Sequence, residues 1–218
     1  MFKALIFDFD GLILDTETPD LRTWQEMYAE YGFTFPVQSW GQIIGGNGTS
    51  HFDAVAHLQE LVGRPLDVQA LQAQQIQMSD ALLDKQPILP GVLDLILEAK
   101  RHALGLAVAS SSDHSWVDSH LSRLGLARHF DKVICAEDVP PGRVKPNPDL
   151  FLKALRELHV TGNEAIAFED SPNGVKAARS AGIFVAAVPN PTTSLLKFDG
   201  ADLMLKSLAD FNLQEFLH

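Results

Sequence analysis

The chain has 218 residues, with 28 Asp and Glu against 17 Lys and Arg, for a formal net charge of -11. The length suits one α/β domain with residues left for a small second unit. The acidic balance excludes a general nucleic-acid-binding surface, which works by neutralising phosphates with Lys and Arg. A small phosphorylated ligand stays possible, because a local cation or metal reverses the local field. The single cysteine, Cys135, excludes an intramolecular disulfide. The run from Met1 to Phe7 is too short for a signal peptide, and no apolar stretch reaches the ~18 residues of a membrane span. The expectation is a cytoplasmic monomer with neither membrane nor nucleic-acid partner.

Ala4 to Phe7 is a continuous apolar run, the pattern of a strand buried on both faces. Residues 15 to 87 carry no such run. There Leu21, Trp24, Tyr28 and Tyr31 form a helical stripe ended by Gly32. Ser50-His51-Phe52-Asp53 reads as a capping box for a helix ending at Gly63, and Val68, Leu71, Met78 and Leu82 stripe a third helix. Gln69 to Gln77 reads as its solvated face. Pro87 and Pro90-Gly91 mark a return to alternation. Strands are expected over Leu104–Ala109, Val133–Ala136, Ala165–Phe168, Phe184–Val188 and Leu203–Leu205. Between them, Val92, Leu95, Ile96 and Ala99 share a helical face, as do Val117, Leu121 and Leu124, with Gly125 as a stop. Asn147-Pro148 and Ser171-Pro172 each offer a cap followed by a first-turn proline. The alternation predicts a doubly wound parallel sheet with a Rossmann-like core in 1–14 and 88–218, interrupted by a helical insert over 15–87.

Ligands of such sheets bind beyond the carboxyl ends of the strands. Asp8 and Asp10 follow the first strand, Ser110, Ser111 and Ser112 the second, and Glu169 and Asp170 the fourth; Lys145 precedes the Pro148 helix. Four carboxylates on one rim repel one another unless a divalent cation sits among them. Magnesium suits the hard oxygen donors, whereas zinc would call for thiolates or a His pair. Strand alternation puts Asp8 and Asp10 on one side if both are extended. One could attack phosphorus and the other protonate the leaving oxygen. Ser110 and Lys145 would hold the transferring phosphoryl oxygens.

Asp8-Phe9-Asp10-Gly11-Leu12-Ile13-Leu14-Asp15-Thr16-Glu17 resembles the first motif of the haloacid-dehalogenase-like phosphatase superfamily. Ser110 resembles the second motif, Lys145-Pro146 the third and Glu169-Asp170-Ser171 the fourth, in the family's order. The insert resembles the α-helical cap domain of the β-phosphoglucomutase-like branch. The resemblance implies Asp8 as nucleophile, Asp10 as acid and base, and magnesium held by Asp8, the Asp10 carbonyl and Asp170, with Glu169 close by or acting through water. The implied substrate is a small phosphorylated metabolite, with a sugar phosphate foremost. Thr16, Ser111, and Gly46 and Asn47 of the Gly45-Gly46-Asn47-Gly48 loop are the candidate substrate contacts.

Plainer readings stand beside these. Asp8 and Asp10 could be turn residues, Ser110 to Ser112, and Ser112 above all, a helix cap, Lys145 a solvated lysine, Gly45-Gly46-Asn47-Gly48 a plain loop, and Glu169-Asp170 a charged first helical turn. Trp24 and Trp116 read as core, and His114 and His120 as surface or packing residues. Among other functions, a sugar-phosphate mutase must also bind a second phosphate. Residues 23–63 contain neither Lys nor Arg, and Asp20 stands where that branch tends to carry His. A dehalogenase would leave Asp10 idle, because a halide needs no proton. A receiver-type signalling module lacks a helical insert at this position, and a non-catalytic phospho-ligand binder is the remaining alternative.

Overall fold

The computed structural model describes residues 1–37, 52–194 and 196–217. These form two compact units, Met1–Leu14 with Pro87–His218, and Asp15–Gln86. The strands are β1 (Ala4–Phe7), β2 (Gly105–Ala109), β3 (Lys132–Ile134), β4 (Ala165–Glu169), β5 (Phe184–Ala187) and β6 (Leu203–Met204). The helices are α1 (Glu17–Glu30), α2 (Ala54–Val62), α3 (Val68–Leu83), α4 (Val92–Arg101), α5 (His114–Arg123), α6 (Asp149–Glu157) and α7 (Pro172–Ser180). None of the described helices is long and apolar enough to cross a membrane.

All six strands belong to the first unit and form one sheet in the order β3-β2-β1-β4-β5-β6, every neighbouring pair parallel. This is the expected doubly wound α/β sheet. Alternation divides its two faces by side-chain size. Ala4, Ile6, Ala107, Ala109, Ala165 and Ala167 share a core with residues of α6 and α7, so small side chains let those helices lie close to the sheet. The other face carries the large rings. Phe7 lies 5.1 Å from Phe168, and Phe168 lies 4.9 Å from Phe211, between ring centroids. Val92, Leu95, Ile96 and Ala99 of α4 are all buried, as their spacing predicts.

Several local expectations are corrected. The third strand ends at Ile134 rather than Ala136. The chain turns there into a 3-10 turn over Ala136–Asp138, and Cys135 N–H donates to Asp138 Oδ2 at 2.9 Å. Asn147 does not cap α6. Its side-chain amide donates to the carbonyls of Gly142 and Val144, and the helix starts after Pro148. Ser171 does cap α7, accepting from Gly174 N–H at 3.1 Å with Pro172 in the first turn. The residue capping α5 is Asp113, which accepts from Trp116 N–H, so Ser112 is released from that role.

The second unit has its own core of Trp24, Met27, Tyr28, Phe35, Ala54, Val55, Leu58 and Leu71. Asp53 itself is the cap of α2, accepting from Ala56 N–H. The capping-box partners Ser50 and His51 lie outside the described residues. On α3 the buried positions are Leu71 and Leu83, while Val68, in the first turn, is exposed. The glutamine face is not wholly solvated. Gln75 donates to Asp20 and Gln74 to Glu30 at 3.4 Å, tying α3 to α1. Replacing Phe168, fully buried at the sheet centre, by Ala is expected to cost about 3–5 kcal/mol, read as a lower urea midpoint.

Candidate active site

The chain leaves β1, whose one neighbour is β2 and whose other is β4, so the strand order reverses between β1 and β4. In a doubly wound sheet that point opens a crevice at the carboxyl ends. Asp8 follows β1 directly. Its N–H donates to the Phe168 carbonyl at 3.0 Å, continuing the ladder past the strand and fixing where the carboxylate starts. Ser110 is set in the same way after β2, donating to the Ile134 carbonyl at 2.9 Å. Glu169 ends β4 and Asp170 follows it. These expected residues are brought together, and each is buried.

Lys145 enters from the segment before α6, 6% exposed. Its Nζ lies 2.5 Å from Asp8 Oδ1 and 2.6 Å from Glu169 Oε1, and 5.4 Å from the centre of the Phe151 ring. It is therefore not a solvated loop lysine. Burial pulls its pKa down, but Asp8 and Glu169 together outweigh this, and the net direction is up. Glu169 moves the other way in charge. Burial first and the Asp8 charge second push its carboxyl up to about 8 against the pull of Lys145. One ammonium shared by two carboxylates leaves a shortfall, and Glu169, wholly buried, bears it.

Carboxylate oxygens of Asp8, Glu169 and Asp170 lie within 4.8 Å of one another, a buried group able to hold a metal ion. Three carboxyl groups meet one ammonium, that of Lys145, so negative charge is in excess even where Glu169 keeps its proton. Hard oxygens carrying that excess fit a divalent cation such as magnesium. The surrounding backbone is shaped to the carboxylates. Gly11 has φ +74°, and a Cβ there would stand 2.2 Å from Asp170 Oδ2. A Cβ on Gly174 would fall 1.8 Å from Glu169 Oε2. Asn190, past the end of β5, donates from Nδ2 to Asp170 Oδ2 at 2.7 Å, while its Oδ1 accepts from the backbone of Thr192 and Thr193.

The Asp10 side chain is not in the metal-binding group. Its Oδ1 accepts from the Trp116 indole at 2.9 Å, and its Oδ2 from Ser112 Oγ at 2.6 Å and Ser110 Oγ at 3.3 Å. Burial raises its pKa, with the Ser112 hydroxyl opposing; Asp8 raises it further, with the Trp116 N–H opposing. Trp116 is thus half-buried beside the site rather than core. Ser112, Trp116 and Asn190 are the residues that sequence reasoning missed. The rule that finds Asn190 is its place just beyond a strand's carboxyl end; Ser112 and Trp116 were hidden by sound local readings, a cap and an apolar helical residue.

The candidate substrate contacts are Thr16, Gly46, Asn47 and Ser111. Ser111 is exposed beside Ser110. Thr16 precedes α1 in the second unit, with no side-chain capping bond, and Gly46 and Asn47 lie outside the described residues. A cleft of about 200 Å³ lined by Gly11, Leu12, Pro90, Asn190 and Lys206 opens beside Asp170, and neither Asp8 nor Lys145 lines it.

Residues 5–188 match the haloacid dehalogenase-like hydrolase family. The chain is 40% identical over 98% of its length, and 95% of the relative's, to YhcW of Bacillus subtilis, provisionally named a phosphatase. It is 32% identical to the fructose-1-phosphate phosphatase YqaB of Escherichia coli, over 84% of this chain and 94% of that one. Among solved structures, a Thermotoga maritima protein provisionally described as a β-phosphoglucomutase superposes with a TM-score of 0.80 at 25% identity, over all of both chains.

Replacing Gly11 by Ala puts an L residue in the left-handed region, at a cost of about 1–2 kcal/mol, and drives a methyl into Asp170 and Asn190. The expected outcome is a lower urea midpoint, by more than the backbone strain alone, together with weakened divalent-ion binding by calorimetry.

Proposed function

The chain belongs to the haloacid dehalogenase-like hydrolase family, and from that premise we propose that it is a magnesium-dependent phosphatase acting on a small phosphate monoester through an aspartyl-phosphate. The observation that carries the reading is the buried meeting of Asp8, Glu169 and Asp170 with Lys145, while Asp10 is held apart by its own donors. A sugar phosphate is the substrate class we favour, in keeping with the relative named for fructose 1-phosphate. We place the enzyme in the cytoplasm as a monomer, with the helical unit Asp15–Gln86 as the cap that sets substrate choice.

In the proposed reaction a carboxylate oxygen of Asp8 attacks phosphorus in line as the bond from phosphorus to the ester oxygen breaks. Asp10 gives its proton to that leaving oxygen, and the alcohol departs. Asp10, now ionised, takes a proton from water as the water oxygen attacks the phosphorus; the bond to Asp8 breaks and inorganic phosphate leaves. Lys145 and Ser110 hold the phosphoryl oxygens, with the Lys145 charge set against the charge that builds there. Asp8, Asp170 and the Asp10 carbonyl would hold magnesium, with Glu169 close by. Magnesium bound there would neutralise phosphoryl charge and orient the phosphate for attack.

The mutase reading is kept because of the solved structure described as a β-phosphoglucomutase. It requires a cationic seat for a second phosphate. Among the cations flanking the Lys- and Arg-free stretch, Arg22 is spent on Glu26 at 2.9 Å.

With a panel of sugar phosphates and magnesium, followed by phosphorus NMR, inorganic phosphate is the expected product, and EDTA should abolish its release. Phosphate migrating between positions of one sugar would instead establish the mutase. Asp8→Asn is expected to lose nearly all turnover with its thermal midpoint retained; undiminished turnover would refute the nucleophile.

A further inference from the structure

The Asp10 carboxyl has two oxygens with different kinds of neighbour. At Oδ1 stands the indole N–H of Trp116, 2.9 Å away. An indole N–H can donate and can never accept, and a protonated carboxyl oxygen is the weaker acceptor, so the bond favours the form in which Oδ1 carries no proton. At Oδ2 stand two hydroxyls, Ser112 Oγ at 2.6 Å and Ser110 Oγ at 3.3 Å. A hydroxyl can donate or accept, so Oδ2 keeps its partners whether or not it is protonated. Trp116 is itself well placed to hold its direction. Its backbone N–H is bound by the α5 cap Asp113, and its ring meets His120 edge to face at 4.6 Å. His120 in turn stacks against Phe9, the residue between the two aspartates, at 6.3 Å. The indole, the carboxyl and the turn that bears the carboxyl are therefore one packed assembly.

We propose that Trp116 is a positioning residue that fixes the rotation of the Asp10 carboxyl, holding Oδ1 on the indole and leaving Oδ2 as the favoured seat of the transferable proton. This rests on the phosphatase reading, in which Asp10 protonates the leaving oxygen. Without the indole N–H the carboxyl can turn about its last torsion, and either oxygen can hold the proton. Proton delivery then suffers while nucleophilic attack by Asp8, which Trp116 does not touch, stays intact.

The test uses two esters that differ in their need for a proton. A sugar phosphate expels a basic alkoxide and depends on the acid. p-Nitrophenyl phosphate expels a stable phenolate and does not. The ratio kcat/KM covers only the steps up to alcohol release, so it isolates this first proton transfer. In Trp116→Phe, kcat/KM for the sugar phosphate should fall by about tenfold or more, while that for p-nitrophenyl phosphate holds within about twofold. Asp10→Asn should show the same split more strongly. If Trp116→Phe disturbs folding, benzothienylalanine at position 116 keeps the bicyclic shape without the N–H and should give the same split. Equal loss on both esters would reduce Trp116 to a structural role, and unchanged values on both would overturn the proposal, each while wild-type turnover still upholds the phosphatase. Wild type inert on every ester would sink the phosphatase reading and this inference with it.

Discussion

The Lys145 ammonium, buried between Asp8 and Glu169, is the interaction on which the site depends. Without it two carboxylates would face each other in a low-dielectric crevice, a short way from a third. Unlike charges at 2.5 and 2.6 Å offset much of the desolvation that burial imposes. The offset is incomplete, since one ammonium serves two carboxylates. Burial first, and the Asp8 charge second, raise the pKa of Glu169 against the pull of Lys145. Leftover negative charge on hard oxygens is the kind that a divalent cation can offset.

The two aspartates of the first turn differ because their partners differ. Asp8 is held by the ladder from β4 and by Lys145, beside the carboxylates of Glu169 and Asp170. Asp10, two residues on, is turned to neutral donors on and before α5. Burial raises the pKa of Asp10, and carboxyls in unlike environments can serve unlike tasks. Here the separation is made by the turn over Asp10–Leu14. Gly11 N–H donates to the Leu14 carbonyl at 2.8 Å, and the left-handed φ of Gly11 brings backbone within reach of Asp170 where no side chain would fit.

The sheet serves this arrangement by treating its faces unequally. Alanines toward α6 and α7 let these helices approach, and α6 is the helix whose approach segment brings Lys145 to the crevice. The cap of α7 is Ser171, one residue after Asp170, and Gly174 in its first turn leaves the space that the Glu169 carboxylate fills. Packing on one face therefore sets the distances between charges at the edge.

By itself the sequence determined the order of strands and helices, because continuous apolar runs and 3.6-residue stripes are local consequences of burial. It also determined the acidic rim, because residues just past the carboxyl ends of parallel strands must gather at one edge. Asp8, Glu169, Asp170 and Ser110 were legible on that ground. What only the tertiary structure decided is which group each one faces. Lys145 lies 137 positions from Asp8, and nothing local distinguishes it from a solvated lysine. Ser112 had a credible reading as a cap until Asp113 was seen to fill that place, and Trp116 one as core until its N–H was seen on Asp10. The reason is physical: capping and burial are recorded in neighbouring residues, whereas the direction of a hydrogen bond between distant segments is set only when the sheet and its helices have packed.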